Sequence, residues 1–365
     1  MNRIGINALC YSSYRAGIGN YIYQLLNELQ KKPSGELTYI VFIPSSAKSD
    51  FNPSAGFSFV PLPAYNLLTR IFIEQLVIPI LFFFFRLDKL HSTGNVAPVL
   101  LGKKNIVTVH DIYFIHNPSR FGIAKNIYLR FFVHQSVKRA SHVITVSQVT
   151  KSDIVKFYGI PADKISVIYH GITKREEPIS ENSFNQKKFG INRSFFLFVG
   201  TLEPGKNILN LIKGSLTLLD KYQVVIAGKK GWGYEELYCF VRENKLEKSV
   251  LFLGYISDSE LSYLYKNALA LVLPSFHEGF GLPIIEAMVH ECPVCCSNTS
   301  SLPEVAGDAA LFFDPNKPEE IKECLIKVIN DSMRQQLISR GKSNIKRFSW
   351  ERCAEQTDFV YRKAL

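Results

Sequence analysis

Short apolar runs alternate along the chain with segments whose apolar residues recur every three to four positions. Ile4 to Leu9 reads as a strand. Ile22, Leu25, Leu26 and Leu29 then fall at i, i+3, i+4 and i+7, one face of a helix. The same order of elements restarts at Phe195. Phe195 to Val199 is continuously apolar, as in a strand buried on both faces. A loop from Gly200 to Lys206 follows, and then Ile208, Leu211, Ile212, Ser215, Leu216 and Leu219 form a helical stripe. Further strands are expected at 38–43, 57–61, 88–91, 105–109, 142–146 and 165–168, and again at 223–227, 250–253, 269–273, 293–296 and 309–313. Ser257-Asp258-Ser259-Glu260 is a capping box that opens a helix carrying Leu261, Leu264, Tyr265 and Ala268 on one face. Two successive strand–helix alternations predict an α/β protein of two doubly wound, Rossmann-like parallel sheets with right-handed crossovers. The polar stretch 173–193 separates them, giving domains 1–173 and 174–348, with 349–365 as a terminal helix returning to the first domain.

Composition narrows the function. With 365 residues and 47% hydrophobic residues, the chain can bury two cores, which excludes a disordered tail or a small disulfide scaffold. The formal charge is +11, and it is uneven. Residues 1–173 hold 18 Lys and Arg against 8 Asp and Glu, whereas 174–365 hold 25 against 24. A basic first half fits a polyanionic partner, such as nucleic acid, anionic lipid or phosphorylated substrate. Seven cysteines, with a strand beginning at once after Met1 in place of a signal peptide, fit a cytoplasmic protein. Cys292-Pro293-Val294-Cys295 has no second ligand pair nearby, so no metal site is expected there. The longest apolar run, Leu76 to Phe85, is too short to span a bilayer. Two readings fit it: the end of a core helix, or contact with a membrane surface.

In doubly wound sheets, ligands lie beyond the carboxyl ends of the strands. Gly17-Ile18-Gly19-Asn20 fits either a close backbone approach to an anion or a simple tight turn, and it lacks the spacing of a dinucleotide fingerprint. His110-Asp111 ends a strand. The imidazole there suits a hydroxyl or a developing positive charge, and a capping aspartate beside a hydrogen-bonded histidine fits equally. The loop from Gly200 through Thr201 delivers Lys206 to a helix start, which suits a diphosphate. The most specific segment is Pro274 to Ala287. Glu278 lies on its loop with Gly279, Phe280, Gly281 and Leu282. Glu286 lies inside an apolar helix, where an ionised carboxylate needs a partner, and a ribose diol is a natural one.

Glu278-x7-Glu286 within H-E-G-F-G-L-P-x-x-E-A resembles family 4 of the retaining glycosyltransferases, which have the GT-B fold of two Rossmann-like domains facing a central cleft. Gly200-Thr201-Leu202-Glu203-Pro204-x-Lys206-Asn207 resembles that family's phosphate loop, and Ser301 to Ala310 the stretch after its donor helix. Arg70-x-x-x-Glu74-Gln75 with Pro79, His91-Ser92 and His110-Asp111 are similar to first-domain markers of a subgroup that builds bacterial surface polysaccharides, many of them mannosyltransferases. The chain departs from its relatives at Thr201 and Gly205, where they often carry Arg, and at Val289-His290-Glu291. The resemblance implies a metal-independent, cofactor-free transfer of mannose from a nucleotide sugar, GDP-mannose, to a glycan or lipid-linked acceptor in O-antigen or capsule assembly. It implies Lys206, with amides near Gly17, Gly19, Gly281 and Leu282, on the diphosphate; Glu278 on the sugar; Glu286 on the ribose; Tyr255 by the base; and His110 and Asp111 on the acceptor side. Location would be cytoplasmic, peripheral at an anionic membrane face, with no nucleic-acid partner. A sugar-nucleotide epimerase would share the fold without Glu-x7-Glu, and a non-catalytic basic module would leave Lys206, Glu278 and Glu286 unexplained.

Overall fold

The structure, a computed structural model, describes residues 1–12, 17–31, 35–116, 122–173 and 189–365. Most of the polar stretch 173–193, including Lys174 to Pro178, lies outside the described residues. The chain divides into two compact units: residues 1–171 together with 348–365, and residues 172–347. The breaks fall one to two residues before those expected from the sequence, at 173/174 and 348/349.

The first unit holds a seven-stranded parallel sheet: β1 (Asn2–Asn7), β2 (Leu37–Pro44), β3 (Phe57–Leu62), β4 (Lys89–Ser92), β5 (Asn105–Val109), β6 (His142–Thr145) and β7 (Ile165–Val167), in the order β3-β2-β1-β4-β5-β6-β7. The second unit holds six parallel strands: β8 (Phe195–Val199), β9 (Gln223–Ala227), β10 (Val250–Gly254), β11 (Ala270–Leu273), β12 (Val294–Ser297) and β13 (Ala310–Phe313), in the order β10-β9-β8-β11-β12-β13. In both sheets the order reverses beside the first strand, between β1 and β4 and between β8 and β11. Crossovers leave in opposite directions there, which opens a crevice at the strands' carboxyl ends.

One face of the first sheet buries Ile4 and Ile6 against the Ile18–Lys31 helix and the terminal helix Trp350–Ala364. Tyr361 of that helix is fully buried and hydrogen-bonds His91 Nδ1 at 2.6 Å, so the chain's last element completes its first sheet. The opposite face is covered over β5 to β7 by the Ile123–Arg139 helix and around β1, β2 and β4 by one continuous helical segment, Leu67–Phe84, which contains a π-helical turn at Ile73–Val77. The turn lies just before Pro79, whose missing amide leaves the normal ladder incomplete. Its inner residues Ile73, Ile78 and Phe82 pack with Leu9, Phe42, Leu87 and Leu90. Its outer residues Leu68, Phe72, Leu76, Ile80 and Phe83 are all exposed, Leu68 by 77% and Ile80 by 69%. Leu76–Phe85 is therefore both a core helix and an apolar surface, because its two faces have different fates. In the second unit the capping box forms as expected, with Ser257 Oγ accepting from the Glu260 amide and Glu260 Oε2 accepting from the Ser257 amide.

Candidate functional site

The reversal point of the second sheet gathers the loops after β8 and β11. Three contacts tie them together. The Phe276 amide donates to the Gly205 carbonyl at 3.1 Å, Asn207 Nδ2 donates to the Pro274 carbonyl at 3.0 Å, and Lys206 Nζ reaches both oxygens of Glu278 at 2.7 and 2.8 Å. Asn207 adopts a left-handed conformation between the Pro204–Lys206 turn and the Ile208–Ser215 helix. It is buried, and its side chain also reaches the Pro315 carbonyl. Glu278 is further fixed by Ser275 Oγ, which donates to Oε1 at 2.7 Å. Its own carbonyl accepts from Ser300 Oγ and Ser301 Oγ. The lysine and glutamate that sequence reading gave to diphosphate and sugar are thus one ion pair. Both are largely shielded, with side-chain exposures of 20% and 16%. Lys206 stands just before the Ile208–Ser215 helix, and Glu278 neutralises it there.

Gly281 follows, with φ of +103°, and introduces the Leu282–Val289 helix. A side chain at Gly281 would be strained by that φ and would meet Leu302 Cδ2 at 2.8 Å. Gly279 and Phe280 complete the turn, with Phe280 buried and its carbonyl accepting from Ser301 Oγ. Glu286 is 7% exposed, and Tyr265 Oη donates to its Oε2 at 3.0 Å. Protein therefore supplies a partner that the sequence reading sought in a ribose. The His290 ring stacks on Tyr265 at 5.6 Å, which gives the departure at Val289-His290-Glu291 a packing role. Tyr255 follows β10 and is 61% exposed, with Lys229 Nζ over its ring at 4.9 Å. Thr201 is exposed at the start of the β8 loop, and Gly205 is buried.

In the first unit, Gly17 has φ of +52° and Gly19 lies in the first turn of the Ile18–Lys31 helix. His110 is buried. Its Nε2 lies 2.9 Å from the Thr93 carbonyl, and its ring stacks on His170 and meets Tyr21 edge-on. Burial holds its pKa below the usual histidine value, so the ring is neutral at pH 7. A carbonyl only accepts, so Nε2 carries the proton and Nδ1 is left as an acceptor. Asp111 Oδ1 accepts from the Tyr113 amide at 3.0 Å, the capping alternative. Of the first-domain markers, Gln75 links the Leu67–Phe84 segment to the Ala97 carbonyl and the Val99 amide, and His91 bridges Tyr361 and Thr108. Sequence reasoning missed Ser275, Ser300 and Ser301 as supports of Glu278. It placed Tyr265 on a buried helix face without its tie to Glu286; only the apolar setting of Glu286 signalled that a partner was needed.

Comparison with known proteins shows the family. Residues 180–344 match the family described as Glycosyl transferases group 1, and residues 15–175 match Glycosyltransferase Family 4. The chain is 35% identical over 268 residues to the O-antigen chain mannosyltransferase B of Escherichia coli, covering 71% of this chain and 70% of that one. It is 36% identical over 261 residues to the O-antigen chain mannosyltransferase RfbU of Salmonella typhimurium, covering 71% and 69%. Among solved structures, Anabaena HepE in complex with UDP and glucose superposes with a TM-score of 0.75 over 99% of both chains at 18% identity, a likeness of fold.

Proposed function

The chain belongs to the family 4, group 1 glycosyltransferases, enzymes of the GT-B fold, and from that premise we propose that it is a retaining mannosyltransferase of surface-polysaccharide assembly. It takes mannose from GDP-mannose and gives it to a lipid-linked oligosaccharide. The observation that carries this reading is the Lys206–Glu278 pair at the reversal point of the second sheet. A cation beside a carboxylate at that point supports a diphosphate on Lys206 and sugar hydroxyls on Glu278. The two mannosyltransferase relatives support the choice of sugar.

The reaction breaks the bond from the anomeric carbon to the diphosphate oxygen and forms one to the acceptor oxygen on the same face. The acceptor proton passes to the departing phosphate oxygen. Charge grows on the diphosphate as the bond stretches, and a preorganised cation held in a shielded pocket stabilises it most at that moment. Lys206 has that role. Glu278 turns from Lys206 to the mannose hydroxyls when donor enters. Glu286, oriented by Tyr265, accepts from the ribose, and the Tyr255 ring lies along the base. In the first unit Nδ1 of neutral His110 accepts from a hydroxyl of the acceptor, with Asp111 next to it in the chain. The exposed row Leu68, Phe72, Leu76, Ile80 and Phe83 rests on the membrane that carries the acceptor lipid. Its inner face packs in the core, which supports a segment that lies on the surface over one that spans, although the helix at 18 residues is long enough to cross.

A thermal-shift panel of GDP, UDP, GDP-mannose and UDP-glucose tests the donor. A ligand at one hundred times its Kd stabilises by about 2.7 kcal/mol. GDP-mannose is expected to shift the melting temperature most, and its transfer product to be α-linked. A larger shift with UDP-glucose, or a β-linked product, would overturn the donor or the retaining assignment.

A further inference from the structure

The reversal point of the first sheet has its own polar cluster, which the mechanism above does not use. Asn7 and Ser92 end β1 and β4 and are register partners, so both face the Leu67–Phe84 segment that covers this side of the sheet. From that segment come Arg70 and Glu74, and from the Ile123–Arg139 helix comes Tyr128. Glu74 is 2% exposed and poorly served. Arg70 Nε is 3.7 Å from Oε1, and Asn7 Nδ2 is 3.5 Å from the same oxygen; both are long for hydrogen bonds. The other oxygen, Oε2, has no described partner. Ser92 Oγ and Tyr128 Oη have none either, and Arg70 Nε has no hydrogen bond beyond that long ion pair, although all are buried. Buried polar groups in folded proteins are almost always paired, so three orphans beside a stretched ion pair mark a place built to meet something else. Glu74 also sits in a π-helical turn, an irregularity frequent at functional sites.

The donor set selects the ligand. An apolar ligand would leave every one of these atoms unpaired. A phosphate would gain Arg70 and face the carboxyl of Glu74. A pair of neighbouring hydroxyls, each both donor and acceptor, satisfies a guanidinium, a carboxyl and a phenol together. Burial pushes the Glu74 pKa up to about 7, so the group both accepts and donates near neutrality, as a polyol requires.

We propose that Arg70, Glu74 and Tyr128, with Asn7 and Ser92 at the carboxyl ends of β1 and β4, form a subsite for the vicinal hydroxyls of a saccharide, the sugar end of the acceptor. Its identity as acceptor rests on the glycosyltransferase reading; its chemistry as a polyol site does not. The same helical segment then has two tasks. Its outward row rests on lipid, and its inward polar pair holds the sugar that the lipid carries.

Saturation-transfer NMR on the full chain tests this. The probes are methyl α-mannoside, methyl α-galactoside and methyl N-acetylglucosaminide, with GDP present throughout. At least one glycoside is expected to bind. Tyr128→Phe removes one oxygen and keeps the ring, and it is expected to weaken that binding about tenfold, the size of one hydrogen bond. Glu74→Gln is expected to weaken it as well. Glu278→Gln is expected to leave it intact, which separates this subsite from the donor's sugar site. Should Glu74→Gln fail to fold, Tyr128→Phe decides alone, with an unchanged melting temperature as its control. No binding by any of the glycosides, binding indifferent to Tyr128→Phe, or binding lost in Glu278→Gln would each overturn the subsite. Nucleotide binding by the same samples reports separately on the glycosyltransferase reading.

Discussion

At the scale of single residues, the two glutamates of the Glu-x7-Glu pattern have different partners, and their substitutions should separate. Glu278 neutralises Lys206 in the free protein, so an incoming diphosphate must displace a carboxylate. Glu278→Gln removes that competitor. GDP affinity should hold or rise, while turnover falls because the mannose hydroxyls lose a charged acceptor. Glu286→Gln should instead weaken GDP binding by about 1.5–3 kcal/mol, the value of a hydrogen bond to a charged group. Calorimetric titration with GDP, alongside initial rates, distinguishes the two. Equal losses of GDP affinity in both variants would refute the division of labour. Sequence spacing made both glutamates visible as candidates, but the ion pair was not legible. Lys206 and Glu278 are 72 positions apart, and nothing local announces their contact.

At the scale of elements, the Leu67–Phe84 segment shows how one helix serves two environments. Replacing Leu68, Phe72 and Ile80 together by serine removes apolar area that is mostly exposed. Stability should change little, whereas sedimentation with vesicles rich in anionic lipid should fall. Charge reversal of Lys103 and Lys104 should also reduce it, since each basic residue near such a surface contributes about 1 kcal/mol. Neutral vesicles should bind poorly, and added salt should release the protein. Indifference to lipid charge at low salt would leave the exposed row without this role. A second element-scale feature is the buried set of histidines around β4, β5 and the end of β7. Burial drives the His91 pKa down from near 6.5 to about 3, and those of His110 and His170 also fall. A depressed folded-state pKa means the neutral ring is favoured in the native state. Stability from these groups is therefore complete above pH 6.5 and is lost as pH falls through the interval toward 3. Urea unfolding of His91→Gln should show a shallower loss between about pH 7 and pH 5 than the parent chain. Parallel curves would show that His91 takes no part in the acid sensitivity.

At the scale of the whole molecule, the two units repeat one plan with different contents. Each is a doubly wound sheet whose order reverses beside its first strand. The second fills its reversal point with a lysine–glutamate pair, and the first with Arg70, Glu74 and Tyr128. The charge follows the same division, with nearly all of the excess before residue 174. In the proposed reaction Lys206 takes the charge that a divalent metal takes in other transferases. Transfer from GDP-mannose should then survive EDTA, with initial rates within about twofold of the untreated enzyme. A complete loss restored by magnesium or manganese would show that a metal does this work.

The amino-acid sequence by itself determined the strands, nearly all within a residue or two of their ends, the two-sheet plan, the loops that carry Lys206, His110 and Glu278, and the helix that carries Glu286. These are short-range properties. A strand buried on both faces must be continuously apolar, a helix must repeat every three to four residues, and a ligand loop must follow a strand. Only the tertiary structure decided which loops meet. Strand order brings β8 beside β11 and β1 beside β4, and with them Lys206 to Glu278 and Asn7 to Ser92. It also decided which face of Leu67–Phe84 lies on the core and which lies outward, since both faces are apolar in the sequence. And it decided that Glu286 has Tyr265 while Glu74 keeps a buried oxygen with no hydrogen-bond partner among the described residues. Pairing across a sheet depends on contacts between residues far apart in the chain, and the local periodicity that reveals each element holds no record of its neighbours.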